Sequence, residues 1–301
     1  MRNVKATIAS IRFYCPEHPV CLIADGDFDT SEITEAYPVT ILKTTEIDDP
    51  VVSAYCTGNP RSKLAAMWHG PFDRFVYLDA DAVVWGDIMD KLHWDDEDFI
   101  VFWNAPEEPA HRSWMSEYYM DVDRILKGNP DFDWMHNPYF SSGAFACKRN
   151  AISKDEWVEM EEWRAREPDL FSWTKDQGIL NYLVFWKAQS QGFKTRLIDL
   201  QWIPHHRGVK LTKKKFLWNG FRFPDSVSDP YIMHFCGKKP EIHRWKSYAA
   251  QFSIARYEFL RRGRKLGPLA ATMRIAMEEF EAIRSKVSKK TGRLFKHIWC
   301  F

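Results

Sequence analysis

The stretch Phe75-Val76-Tyr77-Leu78-Asp79-Ala80-Asp81-Ala82-Val83-Val84 joins two apolar, β-rich runs through a pair of acids. Such a run bounded by charges predicts a strand. Acids two residues apart on an extended segment point to the same side. They sit where an apolar strand ends, and ligands of α/β sheets bind outside the carboxyl ends of strands. Two convergent carboxylates suit a hard divalent cation, Mn²⁺ or Mg²⁺, that shares its coordination with a substrate phosphate. A bare D-x-D also occurs in solvated turns, and the apolar runs on both sides favour the site.

Outward from this segment, strand and helix signals alternate. Val4, Ile8, Ile11 and Phe13 mark a helix that Pro16 stops, and Val20 to Ala24 reads as a strand. Short strands are expected at 39–42, 100–103 and 140–147, and helices at 61–69, 153–166 (with Ser153 as N-cap) and 176–189. This order predicts an α/β sheet with layers on both faces.

Three further groups carry chemistry. In Ile232-Met233-His234-Phe235-Cys236-Gly237-Lys238-Lys239-Pro240, a His ends an apolar run and can ligate a metal. The Gly and Lys residues after it can approach and neutralise a diphosphate. Asp176-Gln177-Gly178-Ile179-Leu180-Asn181 opens a helical segment, where Asp176 can also act as an N-cap. Ser141-Ser142-Gly143 offers small residues that let a ligand approach the backbone.

In order and spacing, this set resembles the glycogenin-like members of glycosyltransferase family 8, retaining enzymes with the GT-A nucleotide-sugar fold. The resemblance spans about residues 4–245. It rests on Ser62-Lys63-Leu64, on Tyr77 to Asp81, on Ser141 to Gly143, on Asp176 to Asn181 and on His234 to Pro240. It implies that Asp79, Asp81 and His234 hold Mn²⁺ (or Mg²⁺) against the diphosphate of a UDP-sugar. Ala80, Ser142, Gly143 and Gly237 would line the donor, Lys239 would touch the phosphates, and Lys63 would sit near the diphosphate or the donor sugar. Asp176 and Gln177 would lie beside the anomeric carbon in positioning and electrostatic roles.

The chain departs from the family in places. The family begins with a strand whose end binds the nucleotide base, whereas Met1 falls within the helix after it. A missing first strand would expose a sheet edge. Ser141 replaces the family's Asn, and Glu241 its Trp. Residues 105–138, with Trp114, Tyr118, Tyr119, Trp134 and His136, look like an insertion suited to an acceptor-side lid.

Composition sets limits around this reading. Forty-six aromatics among 301 residues exclude disorder as a description of the whole chain. The net charge of +1 conceals +8 in residues 256–301 and −7 in the rest, so nothing draws the body to nucleic acid. No run of about 18 apolar residues suggests a bilayer span. Six cysteines without a C-x-x-C pair suggest reduced, buried thiols and a cytoplasmic protein. Two units are expected: a GT-A catalytic domain over 1–250 and a basic amphipathic helical tail over 251–301, interrupted near Lys289–Gly292. The tail suits self-association or peripheral contact with an anionic membrane. The expected activity is Mn²⁺-dependent transfer of glucose or galactose from a UDP-sugar to a carbohydrate or glycolipid acceptor. The alternatives are a GDP-sugar mannosyltransferase of the same fold and a catalytically silent relative that binds sugar nucleotide.

Overall fold

A computed structural model describes residues 2–58, 61–102, 110–172, 176–216, 222–236 and 250–298. The chain opens with α1 (Arg2–Tyr14), β1 (Cys21–Ala24), α2 (Ser31–Ala36), β2 (Thr40–Lys43), α3 (Pro50–Tyr55) and α4 (Ser62–His69). Strands β3 (Arg74–Leu78), β4 (Ala82–Trp85) and β5 (Phe99–Phe102) follow, then α5 (Arg112–Tyr118), α6 (Val122–Gly128) and β6 (Ala144–Lys148). Next come α7 (Lys154–Arg166), α8 (Asp176–Ser190), β7 (Thr195–Ile198) and β8 (Gln201–Trp202). Finally α9 (Pro204–Arg207), α10 (Val209–Lys215), β9 (Tyr231–His234), α11 (Ala250–Glu258) and α12 (Pro268–Ile298) complete it.

The central sheet runs β3-β6-β5-β7, with β6 antiparallel to β3 and β5, and β7 parallel to β5. Its side chains divide strictly by parity. Phe75, Tyr77, Phe99, Val101, Phe145 and Cys147 pack into one core with α4, α7 and α8. Val76, Leu78, Ile100, Phe102, Ala144 and Ala146 pack into a second core with α1, β4, β9 and α11. Period-two alternation therefore buries both faces, as expected of a sheet layered with helices on each side. A small sheet, β4-β9-β8, carries the fully buried β4. A separate parallel pair, β1-β2, stands apart.

Among the described residues, neither β1 nor β3 has a neighbour on its second edge. An apolar cavity of about 300 Å³ separates them, touching Leu22 and Ile23 on one side and Val76 and Leu78 on the other.

Several local expectations recur. Helix α7 starts with a full capping box, in which the Ser153 hydroxyl accepts from the Glu156 N–H (3.2 Å) and Glu156 Oε2 accepts from the Ser153 N–H (2.7 Å). Two others are corrected. Asp79 and Asp81 do not share a strand, because β3 stops at Leu78 and β4 starts at Ala82 in a different sheet. Helix α12 runs unbroken past Gly292, since one glycine costs a helix only about 1 kcal/mol.

The segment from 251 onward divides in two. Phe252, Ile254 and Ala255 of α11 are core residues of the body, and buried Arg256 pairs with Glu278 and Glu279 of α12. On the far side of α12, Leu269, Met273, Met277 and Phe280 are exposed. Residues 110–138 form α5, α6 and a loop. Tyr119 is buried there against Trp114 and Tyr139, so its ring is not offered for stacking. No described helix is long and apolar enough to cross a membrane. Cys15, Cys21, Cys56, Cys147 and Cys236 form no disulfide among the described residues.

Replacing Ser153 by alanine removes the cap acceptor far from the cluster described below. Chemical denaturation is expected to show a loss of about 1 kcal/mol, with divalent-metal affinity unchanged in calorimetry.

Candidate active site

The Asp79-Ala80-Asp81 turn hands the chain from the central sheet to the small one. The Asp79 N–H donates to the Gly143 carbonyl (2.7 Å), which continues the β3–β6 ladder by one step. The Ala82 N–H closes the turn on the Asp79 carbonyl (3.0 Å). The Asp81 carbonyl accepts from the Phe235 N–H (3.0 Å), and Ala82 lies opposite His234 in the β4–β9 register. Thr7 of α1 reaches the carbonyls of Ala80 and Ala82 with its hydroxyl. Both acids and the histidine are thus placed by ladder hydrogen bonds, not by flexible loops.

Their ligating atoms converge. His234 Nε2 lies 3.5 Å from Asp79 Oδ2 and 3.6 Å from Asp81 Oδ1, and the three candidate ligand atoms lie within 4.8 Å of one another. Two carboxylate oxygens and one imidazole nitrogen form a donor set that suits Mn²⁺ or Mg²⁺. The fit extends to the next residue out. His234 Nδ1 sits 3.1 Å from the Gln201 side-chain nitrogen, while Gln201 Oε1 is buried without a partner. The two ends of an amide are interchangeable as assigned. Turning the Gln201 amide over lets Oε1 accept from Nδ1–H, which satisfies the orphan oxygen and leaves the Nε2 lone pair for a metal.

Gly143 makes this arrangement sterically attainable. A Cβ built there would lie 2.0 Å from His234 Cε1, far inside any real contact. Its role is close approach, since its backbone angle needs no glycine.

A second cluster adjoins the first. Lys63 of α4 is buried and places Nζ 2.8 Å from Asp176 Oδ2, 2.8 Å from Ser142 Oγ and 3.1 Å from the Ser142 carbonyl. The Ser142 hydroxyl also lies 3.3 Å from Asp176 Oδ2. Burial alone would lower the Lys63 pKa, but Asp176 and Asp79 outweigh it and hold the ammonium charged. Burial likewise opposes the Asp79 charge, and Lys63 and His234 overcome it, so this carboxyl stays well below the usual range. Tyr77 links the clusters: its hydroxyl donates to Asp79 Oδ1 (2.8 Å), and Lys63 Nζ stands 5.6 Å from its ring centre. Burial, and after it the Asp79 charge, raises the Tyr77 pKa well above its ordinary value, which keeps the hydroxyl a donor.

Asp176 and Gln177 open α8. Gln177 is fully engaged: Oε1 accepts from the Ser142 N–H (3.2 Å) and Nε2 donates to the Tyr118 carbonyl (3.1 Å). It fastens the end of α5 and the 140–143 loop to the start of α8. Asn181, one turn on and fully buried, clasps both backbone groups of Phe140 (3.0 and 2.9 Å).

The structure therefore brings together Lys63, Asp79, Asp81, Ser142, Gly143, Asp176, Gln177 and His234, with Ala80 exposed at the lip of the turn. Gly237 and Lys239 lie outside the described residues. Sequence reasoning missed Gln201 and Tyr77 as supports. The Tyr77 signal was present in its place two residues before Asp79. Gln201 carried none, because only the parallel β8–β9 pairing brings it to His234.

The layered mixed sheet, with convergent acids just past the end of β3, is the GT-A fold of glycosyltransferases. In particular, the chain is similar to the crystal structure of the galactosyltransferase LgtC in complex with donor and acceptor sugar analogs. The TM-score is 0.53 at 13% identity, over 84% of this chain and 91% of that one. An active-site mutant of LgtC gives 0.55 at 13% identity, over 84% and 90%. No family model matches the chain, and no curated protein matches it in sequence.

Two substitutions probe the metal geometry. Gln201→Leu leaves Nδ1 without a partner and is expected to weaken Mn²⁺ binding about 10–100-fold by calorimetry, with little change in fold. Gly143→Ala should displace the imidazole and abolish tight Mn²⁺ binding, while circular dichroism stays that of the parent.

Proposed function

We propose that this protein is a retaining glycosyltransferase that moves a hexose, glucose or galactose, from a UDP-sugar to a carbohydrate or glycolipid acceptor. The observation that carries the reading is the Asp79–Asp81–His234 cluster, joined through Tyr77 to the Lys63–Asp176–Ser142 cluster where β3 ends. The likeness of its fold to that of a galactosyltransferase holding donor and acceptor analogs supports it.

Asp79, Asp81 and His234 Nε2 would hold Mn²⁺ or Mg²⁺, which when bound supplies Lewis-acid neutralisation of a leaving diphosphate. The chain's own residues do the rest. Asp176 presents a buried carboxylate, paired with Lys63 Nζ at 2.8 Å, that stabilises positive charge developing at the anomeric carbon. Lys63 carries a compact positive charge between that carboxylate and Asp79 and limits repulsion between the acids and an incoming diphosphate. Ser142 orients both Lys63 and Asp176. Gln177 and Asn181 hold the 140–143 loop against α8, so the small residues there keep the backbone open to the donor sugar. The aromatic segment that Gln177 ties to the Ser142 backbone through the Tyr118 carbonyl suits acceptor binding, with Trp114, Tyr118 and Trp134 half-buried and Tyr119 buried.

The test is UDP or GDP release from a panel of nucleotide sugars, with Mn²⁺ and with chelator. One UDP-hexose is expected to turn over in a chelator-sensitive manner, with Asp81→Ala inactive. Asp176→Asn should lower kcat about 10²–10³-fold while UDP affinity changes little. Turnover of a GDP-sugar alone would reassign the donor. UDP binding without turnover of any donor would leave the silent relative.

A further inference from the structure

Helices α7 and α8 cover one face of the central sheet, and between them opens a groove of about 470 Å³ that the site described above does not use. Glu156, Glu159, Trp163 and Arg166 form one stripe along α7, at steps of three and four residues. Trp186, Lys187 and Gln191 face this stripe from the end of α8. The two tryptophans are held in place. Trp163 stands edge-on to Tyr182, with ring centres 5.7 Å apart and planes at 76°. It also lies against Gly128 of α6, where an added Cβ would collide with Trp163 Cζ2. Trp186 packs partly on the core, and its ring meets no other aromatic ring among the described residues. Neither indole N–H has a hydrogen-bond partner among the described residues. Glu156 and Lys187 pair at 2.6 Å, and Lys187 Nζ also donates to the Ala151 carbonyl (3.0 Å). Glu159, Arg166 and Gln191 are exposed, with no hydrogen bond or ion pair among the described residues.

We infer that this groove binds a neutral oligosaccharide at a place separate from the Asp79–Asp81–His234 cluster. Charge excludes an anionic ligand. Glu156 and Glu159 stand against Lys187 and Arg166, so the groove has no excess of either sign to attract a phosphate. The same four groups disfavour a purely apolar ligand, which would strip water from them and return no hydrogen bonds. A sugar meets both conditions. Its C–H face lies on an indole, and its hydroxyl rim both donates and accepts. The groove supplies each kind of partner: Glu159 accepts, Arg166 and the indole N–H groups donate, and the Gln191 amide does both. The α7 stripe from Glu156 to Arg166 is about 15 Å long, which suits a di- or trisaccharide. Its volume lies in the usual range of small-molecule sites. Asp176 and Trp186 are borne by the same helix, about 15 Å apart along its axis, so the groove anchors a glycan and does not take part in its chemistry. The assignment does not rest on the transfer reaction proposed above, since the groove would hold the sugar whether or not the cluster acts on it.

The experiment follows the indole N–H resonances of the isotope-labelled full chain during titration with neutral trisaccharides of α- and β-linked glucose and galactose. Trp163→Phe and Trp186→Phe assign the two groove signals, and Trp114→Phe assigns a signal from the aromatic segment beside the candidate active site. At least one trisaccharide is expected to shift the Trp163 and Trp186 signals saturably, and equally so in Asp81→Ala. A chain that turns over no nucleotide sugar would still show these shifts, so the two readings fail separately. Combining Glu159→Ala with Gln191→Ala removes two exposed partners and should weaken binding about tenfold, with the thermal midpoint unchanged. Absence of a shift at both groove tryptophans with every trisaccharide would overturn the proposal. So would a shift at Trp114 alone, or undiminished binding by the double variant. An equal shift of the groove signals by inorganic phosphate would overturn it too, because the groove would then select charge and not hydroxyl groups.

Discussion

The Asp79-Ala80-Asp81 turn is held by one hydrogen bond from each side: its first N–H goes to Gly143 on the central sheet, and its last carbonyl takes the Phe235 N–H next to β9. The site depends on this double anchorage. A turn tied to one sheet would place one acid and leave the other to rotate. Tied to both, it fixes two carboxylates and, through the β4–β9 register, the imidazole opposite them. Asp79 sits where desolvation opposes its charge, and Lys63, His234 and the Tyr77 hydroxyl together offset that opposition. The buried Lys63–Asp176 pair belongs to the same balance.

The second cluster shows how a polar network is kept whole inside a packed protein. Lys63, Ser142, Asp176, Gln177 and Asn181 each meet a defined partner, and several of those partners are backbone groups of the 140–143 loop. That loop has no regular pairing of its own, so side chains from α4 and α8 do what a ladder would do. The consequence is a rigid backbone edge beside a cluster suited to a divalent ion, which is what close approach of a phosphorylated sugar requires. Among the described residues of this neighbourhood, the orphan Gln201 Oε1 falls on the residue that faces His234 Nδ1.

Much of this was legible from local pattern. Phe75 to Val84 announced a strand, two acids and a second apolar run, because those features lie next to one another along the chain. Ser153 and Glu156 announced the start of α7, because a capping box is a contact over three residues. Asp176 and Gln177 were visible as polar residues opening a helix. The position of the turn between two sheets was not visible, because an apolar run does not say which partner strand it will choose. The continuity of α12 through Gly292 was missed for a related reason, since a local breaker signal is weaker than the helical pattern around it.

By itself the amino-acid sequence determined the alternation of elements, the two-faced burial of the central strands and the residue types at the site, because these depend on periodicity and near neighbours. Only the tertiary structure decided that Gly143 must be glycine to admit His234, that Gln201 stands behind the imidazole, and that β1 and β3 face each other across a cavity. Those facts join residues from 33 to more than 90 positions apart. They follow from strand order and register, which hydrogen bonds and core packing settle together once the chain has folded.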